Sequence, residues 1–218
     1  MTSPDPDVQL KHLDPELRRI IKRSATNQIR VYGLIKFHDV CNVEGAFDGK
    51  VSEPSDILRA CVVLLHATLE DTLRSVALFM LPVKSGPEAW DNLRRDSGKP
   101  EKFTLGWLSK FHDKTVKEVL REQADLSLAR TSYTHFKQVE DLLKSIGLMP
   151  PPLRNFADFE RELQEMIVRR HRIVHSADLG PDGKPTALTS VQVERWREQL
   201  VKFTTALLDA ISEKLAIV

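Results

Sequence analysis

The densest cluster of side chains that could do chemistry lies at residues 169–175, where three arginines and two histidines fall within seven positions. The guanidinium of Arg170 is planar and always charged, so it suits a phosphate and binds it more strongly as negative charge develops. The imidazole of His175 titrates near neutrality and can remove a proton from a ribose 2′-hydroxyl or donate one to a leaving oxygen. These residue types favour cleavage of a phosphodiester bond.

The positions of these residues on a helix predict where they point. At about 100° per residue, Arg170 falls on the apolar stripe of its own helix, while His171 and His175 share a side that borders the stripe. The apolar positions of that stripe are Phe156, Phe159, Leu163, Ile167 and Val174. A buried arginine is costly unless its charge is paired or it faces a cleft. One Arg and one His are not a complete acid–base pair, but two copies across a symmetric interface are, so the pattern favours a homodimer.

Two other interpretations of the cluster stay open. Near the carboxyl end of a helix, the helix dipole alone would favour a snorkelling arginine and two partly exposed histidines. The His171 and His175 pair also has the i, i+4 spacing of a helical zinc pair, although it lacks the adjacent glutamate of the HExxH pattern. His66 and Glu70 could complete such a metal site only through the tertiary fold.

The elements that must position the cluster are helices. The chain has 218 residues with only nine glycines, and no strand-like alternation stands out. Periodicity and stop signals predict helices over 14–43, over 55–81 with Pro82 as its stop, from 155 or 158 to 177, and over 189–215. They also predict a weaker segment over 108–146, broken near 131–134. Residues 82–107 are predicted to form a long surface loop. The predicted fold is an all-α bundle.

Composition limits the classes of function. Arg and Lys number 32 against 31 acidic residues, so a polyanion would have to be held by a local cluster and not by a global basic field. Cys41 and Cys61 form no CxxC pair, which argues against a disulfide framework or zinc ribbon. The polar amino terminus and the short apolar runs predict a soluble cytoplasmic protein with no membrane partner.

Two stretches resemble a known family. Ile167–Asp178 carries Arg170-His-Arg-Ile-Val-His175, which matches the R-x4-H signature of HEPN domains, with their usual polar residue after the arginine. The wider run is similar to the RiboL-PSP branch of that superfamily, in which an RRHxIVH core is followed shortly by Asp. Leu64–Arg74 resembles the family's helix with an acidic pair, here Glu70 and Asp71. The resemblance implies a single HEPN-like domain: a four- or five-helix bundle over 55–216, with residues 1–50 as an N-terminal helical extension.

The resemblance also implies an activity. HEPN domains are typically homodimers whose two motifs line one cleft, and many cleave single-stranded RNA without a metal or other cofactor, leaving 2′,3′-cyclic phosphate and 5′-hydroxyl ends. By this resemblance, Arg170 would bind the scissile phosphate, His175 would be the acid and base, and His171 would orient the phosphate. Many members act as toxins or in phage defence, so an antitoxin or regulatory partner is expected.

The sequence also allows other roles for the acidic pair and other functions for the domain. Glu70 or Asp71 would orient Arg170 or His175, or else form an ordinary ion pair between helices. Other HEPN domains are inactive modules that bind RNA, a nucleotide or a protein partner, and the balanced net charge leans towards that interpretation. A metal-dependent hydrolase is a third hypothesis, in which EDTA would abolish activity.

Overall fold

The computed structural model describes residues 14–44, 54–84, 86–92, 104–148 and 156–216. Its helices are α1 (Pro15–Glu44), α2 (Pro54–Lys84), α3 (Pro87–Asn92), α4 (Leu105–Leu108), α5 (Val116–Arg130), α6 (Phe136–Ser145), α7 (Phe156–Ser176) and α8 (Ser190–Ala216). A 3-10 turn, Ser109–Phe111, follows α4, and extended pairing within the described residues is limited to one bridge between Leu179 and Pro185. The predicted all-α helical bundle is confirmed.

Helix α2 is the centre of the bundle and contacts α1, α5, α6, α7 and α8. Its apolar side chains recur every three or four residues over a wide arc, so several neighbours can cover it. Leu58, Leu65, Leu69 and Leu73 are fully buried. Burying each such side chain contributes roughly 1.5–3 kcal/mol, which makes α2 a rigid support for residues on its surface.

Helix α1 packs against both α2 and α8. Leu17, Ile20, Val31 and Ile35 of α1 are buried and join the same apolar core as the rest of the bundle. The residues predicted as an extension therefore contribute to one common core where they are described, while the predicted boundary between 1–50 and 55–216 stays a prediction.

The helix ends follow local sequence signals. Thr115 caps α5 in a capping box with Glu118, and the Thr189 hydroxyl accepts a hydrogen bond from the Gln192 amide at 3.2 Å, as its spacing predicts. Helix α6 ends at Ser145, and Gly147, two residues later, has a positive φ of 69°, which glycine adopts at no steric cost. The predicted break near 131–134 is confirmed, because α5 ends at Arg130 and α6 begins at Phe136.

Two predictions in the region after α2 were wrong. Pro82 does not stop α2, which runs on to Lys84 with the proline inside its last turn. At that position proline removes only one hydrogen bond close to where the helix ends anyway, so the penalty is small. The expected loop over 82–107 also contains two short helices where it is described, and Ala89 of α3 is buried against the core.

Across the described ranges, no helix combines the length and the apolar character needed to cross a membrane.

Candidate functional site

Helix α7 buries the predicted apolar face only in part. Phe159, Leu163 and Ile167 are buried, but Val174 is 49% exposed and Arg170 is half-buried. The arginine that lies within the core is Arg169, with 9% exposure. The helical wheel failed here because Arg169 is neutralised by a residue beyond the helix, which a wheel of α7 cannot show. The side chain of Phe156 lies outside what the structure describes.

The group that neutralises Arg169 is the fully buried carboxylate of Asp178. Its Oδ2 accepts hydrogen bonds from Arg169 Nε and Nη2 at 3.1 and 2.7 Å, and from Arg59 Nε of α2 at 3.2 Å. Both guanidinium groups also donate to the Thr186 carbonyl oxygen. This network ties the end of α7 to the start of α2.

A sharp turn of the backbone after α7 brings Asp178 back against the end of that helix. Ala177 and Asp178 both have positive φ, 49° and 59°, so the chain reverses sharply after α7. The Asp178 amide donates to the Arg172 carbonyl oxygen at 3.1 Å, and Thr186 donates its amide and hydroxyl to the Asp178 carbonyl oxygen. Asp178 was part of the motif quoted from the sequence but had no predicted role. Arg59, 119 positions away, carried no sequence signal.

His171 and His175 lie together on the exposed side of α7, as their spacing predicts. Their ring centroids are 4.3 Å apart with planes inclined at 42°. Val168 and Val174, 45% and 49% exposed, flank the two rings. The histidines are therefore accessible to a polyanion or a partner, within a surface that is partly apolar.

Arg170 differs from its neighbours in its hydrogen bonding. Arg169 is held by Asp178, and Arg172 donates to the Thr186 hydroxyl at 2.7 Å. Arg170 makes no hydrogen bond to any residue in the described part of the chain, and its Nε is buried without a partner. Its charge instead acts on His66 of α2. Of the three arginines, Arg170 is the one whose guanidinium is free to bind a ligand.

The two carboxylates of the acidic pair on α2, Glu70 and Asp71, contact different parts of the fold. Glu70 Oε1 accepts hydrogen bonds from the Ser132 hydroxyl at 2.8 Å and the Tyr133 amide at 3.1 Å, in the break between α5 and α6. Asp71 turns to α1 and pairs with Arg23 Nε at 2.6 Å. Glu70 lies on the side of α2 that carries His66, with its Oε2 3.6 Å from His66 Nδ1, whereas Asp71 does not. A role in orienting Arg170 or His175 stays a prediction for both.

His66 is a buried titratable group on which the charge of Arg170 acts. Desolvation by burial lowers its pKa and the positive charge of Arg170 lowers it further, while the hydrogen bond to the Tyr133 carbonyl oxygen and the charge of Glu70 oppose this. The sequence suggested His66 only as an accidental metal ligand. No group of three or more His, Cys, Asp or Glu residues that could hold a metal ion occurs among the residues described.

A groove of about 320 Å³ lies between α7 and α8. Val168 and Arg172 line its α7 wall, and Gln192 and Trp196 line its α8 wall. Apolar, amide and guanidinium groups therefore line one groove, and neither His171 nor His175 is part of its lining.

Comparison with known proteins gives one match. A family profile described as RiboL-PSP-HEPN matches residues 34–213, well over half of the chain. No curated protein and no solved structure matches. HEPN domains are commonly associated with ribonuclease activity, so the match indicates a nuclease-like or RNA-related module. The sequence motif, the helical bundle and this match agree, and the chain belongs to the RiboL-PSP-HEPN family.

Proposed function

We propose that this protein is a metal-independent endoribonuclease that cleaves single-stranded RNA, with Arg170 and His175 as its catalytic residues. The observation that supports this most is the contrast among the arginines of α7. Arg169 and Arg172 are committed to internal hydrogen bonds, whereas Arg170 makes none to a described residue. His175 is likewise exposed, one residue before the end of the same helix.

The proposed reaction needs only these groups. His175 removes the proton from a ribose 2′-hydroxyl, and the oxygen attacks the adjacent phosphorus. The bond from phosphorus to the 5′-oxygen breaks, and a protonated His175 from the second copy donates a proton to that oxygen. Arg170 stabilises the negative charge that builds up on the non-bridging oxygens. The products are a 2′,3′-cyclic phosphate and a 5′-hydroxyl, and His171 orients the phosphate.

A second copy of the chain completes the site in this proposal. Arg170 and His175 are five positions apart, so they leave the helix in directions about 140° apart. A single α7 also supplies only one of each residue. The exposed Val168 and Val174 beside the histidines offer an apolar surface for a symmetric contact through α7, which would bring two copies of the motif into one cleft.

Cleavage of a single-stranded RNA in EDTA tests the proposal. We expect wild type to cut and Arg170→Ala and His175→Ala to lose at least about 100-fold in rate, because electrostatic stabilisation by Arg170 and general acid–base catalysis by His175 each contribute roughly that much. Matched controls are Arg161→Ala on the exposed side of α7 and His112→Ala on the surface, which should cut at the wild-type rate. If Arg170→Ala and His175→Ala variants with intact circular dichroism spectra cut as fast as wild type, the assignment is wrong.

The second candidate is a non-enzymatic HEPN module that binds RNA, a nucleotide or a protein partner. The near-zero net charge of +1 favours it, since an enzyme acting on free RNA gains from a positive surface. This candidate predicts RNA binding with no cyclic-phosphate product under any condition.

The cellular role we propose with the nuclease activity is that of a cytoplasmic toxin or phage-defence effector, controlled by an antitoxin or regulatory partner. Induced expression in bacteria should then arrest growth with RNA degradation. The His175→Ala variant, made at the same level, should not arrest growth. Equal toxicity of the two proteins would contradict this role.

A further inference from the structure

His66 presents an unused hydrogen-bond acceptor inside the bundle. The residue is 1% exposed, and its Nε2 lies 2.9 Å from the Tyr133 carbonyl oxygen. A carbonyl oxygen only accepts, so Nε2 carries the proton in this bond and Nδ1 of the neutral ring is an acceptor. That Nδ1 is buried and has no hydrogen-bond partner among the described residues.

Glu70 does not serve this atom. Its Oε2 lies 3.6 Å from His66 Nδ1, beyond hydrogen-bond distance, and its Oε1 is occupied by Ser132 and Tyr133. An ionised carboxylate has no proton to donate to an unprotonated ring nitrogen. The hydrogen bond that Nδ1 can accept must therefore come from another donor nearby.

Arg170 has a buried hydrogen-bond donor that lacks an acceptor. Its Nε–H is buried and unpartnered within the described structure, and it can only donate. Its charge is close enough to lower the pKa of His66, so the two side chains share one environment at the contact between α2 and α7. Leaving a buried donor and a buried acceptor unpaired costs roughly 1–3 kcal/mol each, which a bond between them would recover.

We propose that His66 is a positioning residue for Arg170: in the RNA-bound site its Nδ1 accepts the Nε–H of Arg170, and this leaves both terminal nitrogens of the guanidinium for the phosphate. The inference rests on the proposed function, because it assigns His66 to the site that Arg170 forms. The Tyr133 carbonyl sets the tautomer of His66, in the same way that the second hydrogen bond of a histidine fixes its role in other sites. His66 touches no substrate in this arrangement.

Two substitutions separate this role from a structural one. His66→Gln places an amide nitrogen near the position of Nε2, so it keeps a donor for Tyr133 and removes the acceptor for Arg170. His66→Asn places an amide oxygen near the position of Nδ1, so it keeps the acceptor and loses the bond to Tyr133. We expect His66→Gln to lower kcat for RNA cleavage by about tenfold or more, with KM changed much less, because a misplaced phosphate ligand weakens the transition state. His66→Asn should retain more kcat despite a lower melting temperature.

A purely structural His66 predicts the opposite order, in which the variant that keeps the Tyr133 bond keeps the activity. If His66→Gln cuts as fast as wild type while His66→Asn is slow, the proposal is wrong. Arg161→Ala, on the exposed side of α7, is the control variant and should leave kcat unchanged.

A second readout does not depend on catalysis. In ¹⁵N NMR spectra of the wild-type protein bound to a 2′-deoxy-substituted RNA, His66 should show a protonated Nε2 and a hydrogen-bonded Nδ1. The Nδ1 signal should move in Arg170→Ala and stay in place in Arg161→Ala. An Nδ1 signal that Arg170→Ala does not move overturns the inference. If the signal moves but wild type cuts no RNA, the contact exists and only the proposed function has failed.

Discussion

At the scale of single residues, Arg169 and Arg170 are neighbours in sequence with different surroundings. Arg169 is 9% exposed and shares the carboxylate of Asp178 with Arg59, so its charge is balanced inside the fold. Arg170 is half-buried and has no hydrogen-bond partner among the described residues. A guanidinium kept near the surface without an internal partner is available for an anionic ligand.

The acidic pair on α2 gives a prediction at this scale. Glu70→Gln should lower the free energy of unfolding by about 1–2 kcal/mol, because it weakens charge-assisted hydrogen bonds to Ser132 and Tyr133. Asp71→Asn is the matched comparison and should cost less than about 1 kcal/mol, since its partner Arg23 is 53% exposed. Urea unfolding of the two variants measures both values. A larger loss for Asp71→Asn than for Glu70→Gln would contradict this account of the pair.

His66 gives a prediction on pH. Burial lowers the pKa of His66 in the folded protein below its value in the unfolded chain. Protonation therefore favours unfolding: the stabilisation from the neutral ring is complete above the ordinary histidine pKa of about 6.5 and is lost as the pH falls below it. Between pH 6.5 and 5, the free energy of unfolding of wild type should fall more steeply than that of His66→Gln, by up to about 1.4 kcal/mol per pH unit. Parallel slopes in urea titrations across this range would show that the folded and unfolded chains bind protons equally at His66.

At the scale of elements, the sequence predicts the long helices well, but it does not predict features that depend on contacts between helices. Apolar periodicity and stop signals identified the long helices in the described part of the chain and the break near 131–134, because each of these follows from local pattern. The run through Pro82 and the burial of Arg169 depend on tertiary contacts, which no window of sequence contains. In the same way, the motif indicated Arg170 and His175, but the neighbours Arg59 and His66 came together only through packing of α2 on α7.

The turn that ends α7 gives a prediction for an element. Asp178→Asn should destabilise the fold by roughly 3–5 kcal/mol, because among the described residues it leaves Arg169 buried with no counter-charge and leaves Arg59 with only the exposed Asp56. Asparagine also tolerates the positive φ of this position, so the loss would report on charge and not on backbone strain. Chemical denaturation measures the loss, with Asp209→Asn on the exposed side of α8 as the control. A cost below about 1 kcal/mol would mean that the network contributes little to stability.

At the scale of the whole molecule, the proposed site needs two chains. The exposed Val168 and Val174 lie on either side of the histidine pair, so a symmetric contact there would bury apolar surface and bring two motifs together. The same contact would place His175 of each copy near Arg170 of the other.

Val174→Glu tests this contact. The buried glutamates would face one another across the two-fold axis, so we expect wild type to have twice the 24.8 kDa chain mass and the variant to have that of one chain. Light scattering after gel filtration measures both masses, and RNA cleavage should fall together with dimerisation. Val116→Glu, on the 76% exposed side chain at the start of α5, should remain dimeric and active. A Val174→Glu protein that is still a dimer would place the interface elsewhere.

The chemistry of the product ends distinguishes 2′-hydroxyl attack assisted by His175 from other ways of cutting RNA. A single-stranded RNA is incubated in EDTA with wild type and with His175→Ala, and the ends of each fragment are identified by mass spectrometry. We expect 2′,3′-cyclic phosphate and 5′-hydroxyl ends with wild type and uncut RNA with His175→Ala. Fragments with 5′-phosphate and 3′-hydroxyl ends, or equal cleavage by both proteins, would contradict this mechanism, because neither result can come from 2′-hydroxyl attack assisted by His175.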